Sequence, residues 1–222
     1  MKIFKLITFF YLIYCLSLNS YSQGTYNFNV IGALPVSDYG SDDFDDEDSG
    51  GAGLGVGLGI QYVHPLMNNG LGVFAGVDII CNGYKKSFKQ DFEDLFDVSV
   101  DIKYSKMFNV PLSFGLNYSK ATDSGLGIFA NLGLTYNFFK ETNQIVETDY
   151  GDITMSAKMT SAFGFKVGGG LKLNDKVSVF INYLGLGTHD QKYILEASGL
   201  PSEDGHLKIK IDIVTIGIGF AL

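Results

Sequence analysis

The 222-residue sequence has no tryptophan and no arginine, only four prolines and only two cysteines. Each scarcity excludes something. Without a guanidinium group, and at a formal charge of −8, the chain lacks the clustered basic surface that phosphate backbones select. No nucleic-acid partner is therefore expected. Four prolines beside 28 glycines do not make a collagen repeat. With 18 Phe and 13 Tyr, too much apolar bulk is present for a disordered chain. The length suits a single domain.

Long apolar runs are scarce as well. The clearest, residues 6–16, follows Lys2 and Lys5 and precedes the small residues Ser20 and Ser22, which flank Tyr21. The run is shorter than the roughly 20 residues of a membrane-spanning helix and has the grammar of an export signal. Cleavage between Ser22 and Gln23 is expected, making 1–22 a signal peptide and 23–222 the mature domain. Cys15 follows bulky Tyr14 where a lipid-attachment box wants a small residue, so lipidation is not expected. Cleavage removes two Lys and no acid, leaves the mature chain more acidic, and retains Cys81 as its single cysteine. No intramolecular disulfide can staple it.

What the sequence has in abundance is alternation at period two, the signature of strands. In residues 52–62, Ala52, Leu54, Val56, Leu58, Ile60 and Tyr62 alternate with glycines and Gln61. The same grammar recurs at 71–80, 108–118, 126–138 and 163–173, with further strands expected at 26–30, 177–183 and 207–222. Short turns near 65–70, 119–124 and 174–176 alternate with long polar links near 35–50, 83–99, 141–156 and 188–205. These counts predict an all-β fold, an eight-stranded antiparallel up-and-down barrel. In the last strand the apolar residues change from odd to even numbers at Ile213 and Val214, and a β-bulge is expected there.

One face of nearly every strand is apolar while the other is glycine, amide or charge. A lipocalin-like soluble barrel would turn its apolar face inward. A transmembrane barrel shows it to lipid and closes so that every backbone group is paired. The pattern therefore predicts an outer-membrane barrel. Its aromatic girdles are expected at Tyr62, Tyr118 and Phe220 on the turn side and at Tyr104, Tyr136 and Phe138 on the loop side. Outer-membrane lipid is the expected surrounding partner, and a monomer the expected state.

The whole mature region resembles the PorT-like outer-membrane β-barrel proteins. The resemblance rests on the signal peptide, the glycine-rich second strand, the segment Phe108-Asn109-Val110-Pro111-Leu112 and the alternating last strand. It implies the same barrel and an accessory role in surface secretion or envelope assembly. The chain departs from the common terminal aromatic by ending in Leu222, with Phe220 nearby.

An eight-stranded barrel has an interior that side chains can just fill. Asp78, Asp101, Lys103, Asn131, Lys158, Lys166 and Asp212 are expected there as a polar network, with Asp78 and Lys103 its central pair. That interior predicts a plugged barrel working through its extracellular loops, as a structural, surface-interaction or secretion-accessory protein with an extracellular or envelope partner. A narrow channel for ions or small solutes is the alternative. A third reading is a lipid-modifying enzyme, with His189 and His206 brought near Ser202. No elbow or metal spacing supports it, so no catalytic residue and no cofactor is assigned. In the first long loop, Asp42, Asp43, Asp45, Asp46, Glu47 and Asp48 are weak candidates for a divalent cation, but their spacing is not that of an EF-hand. Charge that keeps a loop solvated is the better explanation of them.

Overall fold

Strict alternation gives each segment one face for lipid and one for a narrow interior, and the chain satisfies both by closing on itself. The computed structural model describes residues 24–43, 49–94, 100–122, 126–148, 151–197 and 201–222. Its strands are β1 (Thr25–Val36), β2 (Ala52–Pro65), β3 (Leu71–Tyr84), β4 (Asp101–Lys103), β5 (Met107–Ala121), β6 (Gly127–Glu141), β7 (Gln144–Thr148), β8 (Gly151–Ala157), β9 (Thr160–Lys172), β10 (Val177–Ala197) and β11 (Glu203–Ala221). The antiparallel order β1-β2-β3-β5-β6-β9-β10-β11 returns to β1, giving a ring of eight. The seam runs in register from Asn27 opposite Ala221 to Val36 opposite Asp212.

The outer face is a continuous apolar band. Leu54 and Phe163 are 78% and 79% exposed, and Val56, Ile60, Phe114, Leu132, Ile181 and Ile216 are exposed beside them. No water-soluble barrel would leave such a belt uncovered. At the turn end Tyr26 packs on Tyr62, with ring centroids 4.8 Å apart, and Tyr118 and Phe220 continue the girdle. At the loop end Tyr136 meets both Phe138 and Phe163. Tyr104, expected in that girdle, lies instead between β4 and β5. Its hydroxyl donates to the carbonyl of Lys89 in α2 (Lys86–Glu93) at 2.8 Å, because the chain has left the barrel wall there.

Pro111 sits mid-strand on β5. The ladder from β5 to β6 runs through it, while the ladder to β3 skips Asp78 and Ile79, opposite Val110 and Pro111. A residue without an N–H opens that ladder locally.

Two features differ from the sequence expectation. The bulge lies on β10 between Gly185 and Thr188, not at Ile213 and Val214. Gly187 supplies it with a φ of +86°, a value glycine adopts without steric cost. β11 needs no phase slip, because Ile209, Ile211 and Ile213 all point inward and are buried. Second, β10 and β11 continue past the band, and β10 pairs there with β8, which pairs with β7, which pairs with β4. A five-stranded sheet β11-β10-β8-β7-β4 thus projects from the loop end. Exposed Asp190, Lys192, Lys208 and Lys210 on its hairpin mark where the apolar band has ended.

Candidate functional site

The interior is divided into three levels. At mid-height the Lys166 ammonium lies 3.4 Å from an Asp78 carboxylate oxygen, with both side chains at most 7% exposed. The Lys166 ammonium also lies 5.9 Å from the centre of the Phe74 ring. A Cβ at Gly59 would collide with the Asp78 carboxylate, so the glycine row of β2 makes room for this charge. Around the pair, Asn117 donates to Asn131 at 2.8 Å and Asn182 to Thr215 at 3.3 Å.

Above this level a packed apolar cluster fills the lumen. The short helix α1 (Ser37–Gly40) folds inward and buries Tyr39 completely in a cluster with Ile80, Met107, Phe139, Leu184, Leu186, Ile209, Ile211 and Ile213. Tyr39 meets Phe139 edge-on at 6.3 Å. Burial pushes its phenol pKa well up, so it stays neutral. A chain of hydrogen bonds then crosses the barrel. Asn109 donates to the Tyr39 hydroxyl at 3.0 Å, and Asn137 donates to Asn109 at 2.9 Å. The same Asn137 amide nitrogen meets His189 Nε2 at 3.2 Å, while His189 Nδ1 meets the Thr160 hydroxyl at 2.9 Å. With Asn137 donating, Nε2 accepts, so the ring proton sits on Nδ1 and is given to Thr160. His189 stands just past the bulge, beyond the apolar band, and burial lowers its pKa to about 4.

Below the ion pair the lumen opens. A cavity of about 340 Å³ at the turn end is lined by Asn27, Gln61, Asn117, Phe129, Lys172 and Ser178, among others. A chamber of about 30 Å³ adjoins it at Asp78 and Lys166, sharing Gln61, Phe129 and Ser178.

Of the residues expected in the lumen, the structure brings Asp78, Asn131 and Lys166 together. It does not place Asp101, Lys103, Lys158 or Asp212 with them. Asp101 and Lys103 lie on β4 in the projecting sheet, where Lys103 pairs with Glu147. The Asp78–Lys103 pair is replaced by Asp78–Lys166. Lys158 is exposed between β8 and β9. Asp212 alternates with inward Ile211 and Ile213, so it lies on the outer side of the wall, covered and 3.4 Å from Lys210.

His189 and His206 lie on opposite faces of the β10–β11 hairpin. The first is buried, and the second is exposed, 3.1 Å from Asp190. Asp42 accepts hydrogen bonds from Ser87 and Lys85, and these hold its carboxyl pKa below the usual range. Asp45, Asp46, Glu47 and Asp48 lie outside the described residues, as do Ser22 and Gln23. Among the described residues no group of three or more His, Cys, Asp or Glu is arranged to hold a metal ion.

Sequence reasoning missed Tyr39, Asn109, Asn137 and Gln61. Parity on their strands already placed the last three inward, but α1 carries no periodic signal.

No protein-family model matches the chain and no curated protein matches its sequence. Solved structures do match. The chain aligns over 90% of its length with 97% of the outer membrane protein OprG from Pseudomonas aeruginosa, at 14% identity and a TM-score of 0.52. A major outer membrane protein from Thermus thermophilus matches over 90% of this chain and 99% of its own, at 13% identity and a TM-score of 0.52. The fold is that of an outer-membrane β-barrel. Ail, the attachment invasion locus protein of Yersinia pestis, also aligns over 90% of this chain and 99% of its own, at 9% identity and a TM-score of 0.44.

Proposed function

We propose that this protein is exported by its N-terminal signal and resides in the outer membrane as a monomeric barrel, non-enzymatic and closed to through-traffic. It acts at the cell surface, in interaction, envelope structure or support of secretion. The observation that carries this reading is the packed loop end beneath a projecting five-stranded sheet. Residues 203–211 of β11 pair with β10 on one side, and no described strand covers the other. That row of backbone donors and acceptors suits an extended segment of an extracellular or envelope partner. The resemblance to PorT-like proteins points the same way, toward secretion or envelope assembly.

The narrow channel is the second reading, favoured by the polar cavity that enters from the turn end. The two readings part in a planar bilayer. Refolded mature protein should shift in mobility between unboiled and boiled gels and give no conductance steps. Steady conductance from the unaltered protein would hand the assignment to the channel. Absence of both the gel shift and a β signal in detergent would overturn the membrane barrel itself.

A further inference from the structure

The turn-end cavity is needed neither by the packed cluster nor by the projecting sheet. Its volume, about 340 Å³, falls in the range of small-molecule sites. Two carboxamides stand side by side in it, since Asn27 is opposite Gln61 in the β1–β2 register. Neither side chain hydrogen-bonds to another described residue, although Gln61 is only 9% exposed. Asn27 is half-buried and the amide atoms of Gln61 are not sealed off from the cavity, so both are open to whatever occupies the space. On the far wall Lys172 makes no ion pair among the described residues, and beside it the ring of Phe129 supplies an apolar surface. Lys172 and Lys176 outnumber Asp175 among the lining residues, in a chain that is acidic as a whole.

We propose that this mouth binds a small carboxylate that also carries amide or hydroxyl groups. Lys172 takes the carboxylate, Asn27 and Gln61 exchange hydrogen bonds with the neighbouring polar groups, and the carbon skeleton lies against Phe129. A carboxamide offers both a donor and an acceptor, which fits the peptide group and the sugar hydroxyl equally. The free carboxyl end of a short peptide and a sugar acid are therefore two sources of one chemistry. The proposal does not depend on what the outer sheet binds.

The test uses the refolded mature chain in detergent. Ligand-observed NMR titrations compare tri-alanine, its C-terminal amide, glucuronate and glucose. At least one of the two acids should bind, with its uncharged counterpart weaker by about tenfold, the effect of losing one charge-assisted contact. Lys172→Gln should weaken the acid by a similar factor, and Gln61→Leu should weaken it as well. Lys120→Gln, outside the cavity, should change nothing. Heat-modifiability confirms that each variant is a closed barrel. Binding of tri-alanine alone assigns the peptide source, and binding of glucuronate alone the sugar acid. Equal binding of charged and uncharged partners, an unchanged Lys172→Gln, or no binding of either acid would overturn the proposal.

Discussion

The two halves of the barrel interior are filled in different ways. Toward the turn end the filling is amide, hydroxyl and one buried ion pair, with space left over. Toward the loop end it is Tyr39, Phe139, Ile80 and a run of inward isoleucines, threaded by the Asn109–Asn137–His189 chain. Alternation alone says which residues share a face, but the identity of the face changes along the axis. In the lower half most apolar side chains face lipid, and only a few, among them Phe74, Phe129 and Phe180, turn inward. In the upper half Ile209, Ile211 and Ile213 are apolar because they are core.

The largest expected break falls on the polar half. Lys166→Met leaves Asp78 buried and unpaired, and should destabilise the folded barrel by about 3–5 kcal/mol in urea titrations. Adding Asp78→Asn should recover most of that loss, because the penalty lies in the orphaned charge.

On the apolar half, Tyr39→Ala removes a buried aromatic, at a cost of about 3 kcal/mol. It should also unseat α1, read as conductance steps where the unaltered protein is expected to give none. Tyr39→Phe keeps the bulk, loses only the Asn109 hydrogen bond worth about 1 kcal/mol, and should stay silent in the bilayer.

Acid separates the halves. His189 has its pKa lowered in the folded state, from 6.5 to about 4. Its contribution is therefore complete above the unfolded value and is lost as pH falls through that window, on the order of 2 kcal/mol. Hydrogen exchange should show the loop end loosening between those values while the turn end holds, and His189→Gln should flatten the response. Asp42, also held low, adds a loss in the same direction only below the ordinary carboxylate range.

The smallest effect is expected outside both halves. Lys103→Gln cuts a solvent-exposed ion pair on the projecting sheet and should leave barrel stability unchanged within error.

The same contrast accounts for what could be read from sequence. Eight wall strands, their short turns and the inward aim of Asp78, Asn131 and Lys166 all follow from period two. The partner of Asp78 does not, because which residues meet across a barrel depends on strand stagger, and stagger leaves no local mark in the sequence. Lys103 alternates as a wall residue would, yet its three-residue strand belongs to the outer sheet. Asp212 is misplaced by parity for a subtler reason. Taking Ile209 to Ile213 as lipid-facing requires a bulge at Val214 and turns Asp212 inward, whereas an apolar core above the ion pair needs neither. Tyr39 sits in a four-residue helix with no periodicity, and its burial is decided wholly by the ring it enters.

The seam between β1 and β11 has a consequence for assembly. Neighbouring strands elsewhere meet across turns or loops, and the β10–β11 hairpin can zip as soon as its residues are available. The seam instead joins β1 to β11, the wall contact of greatest sequence separation and so the slowest to find. Until the final strand arrives, β1 presents an unsatisfied edge. Cylinder closure is thus the commitment step of biogenesis, and a chain stalled before it would be a substrate for capture by other open edges.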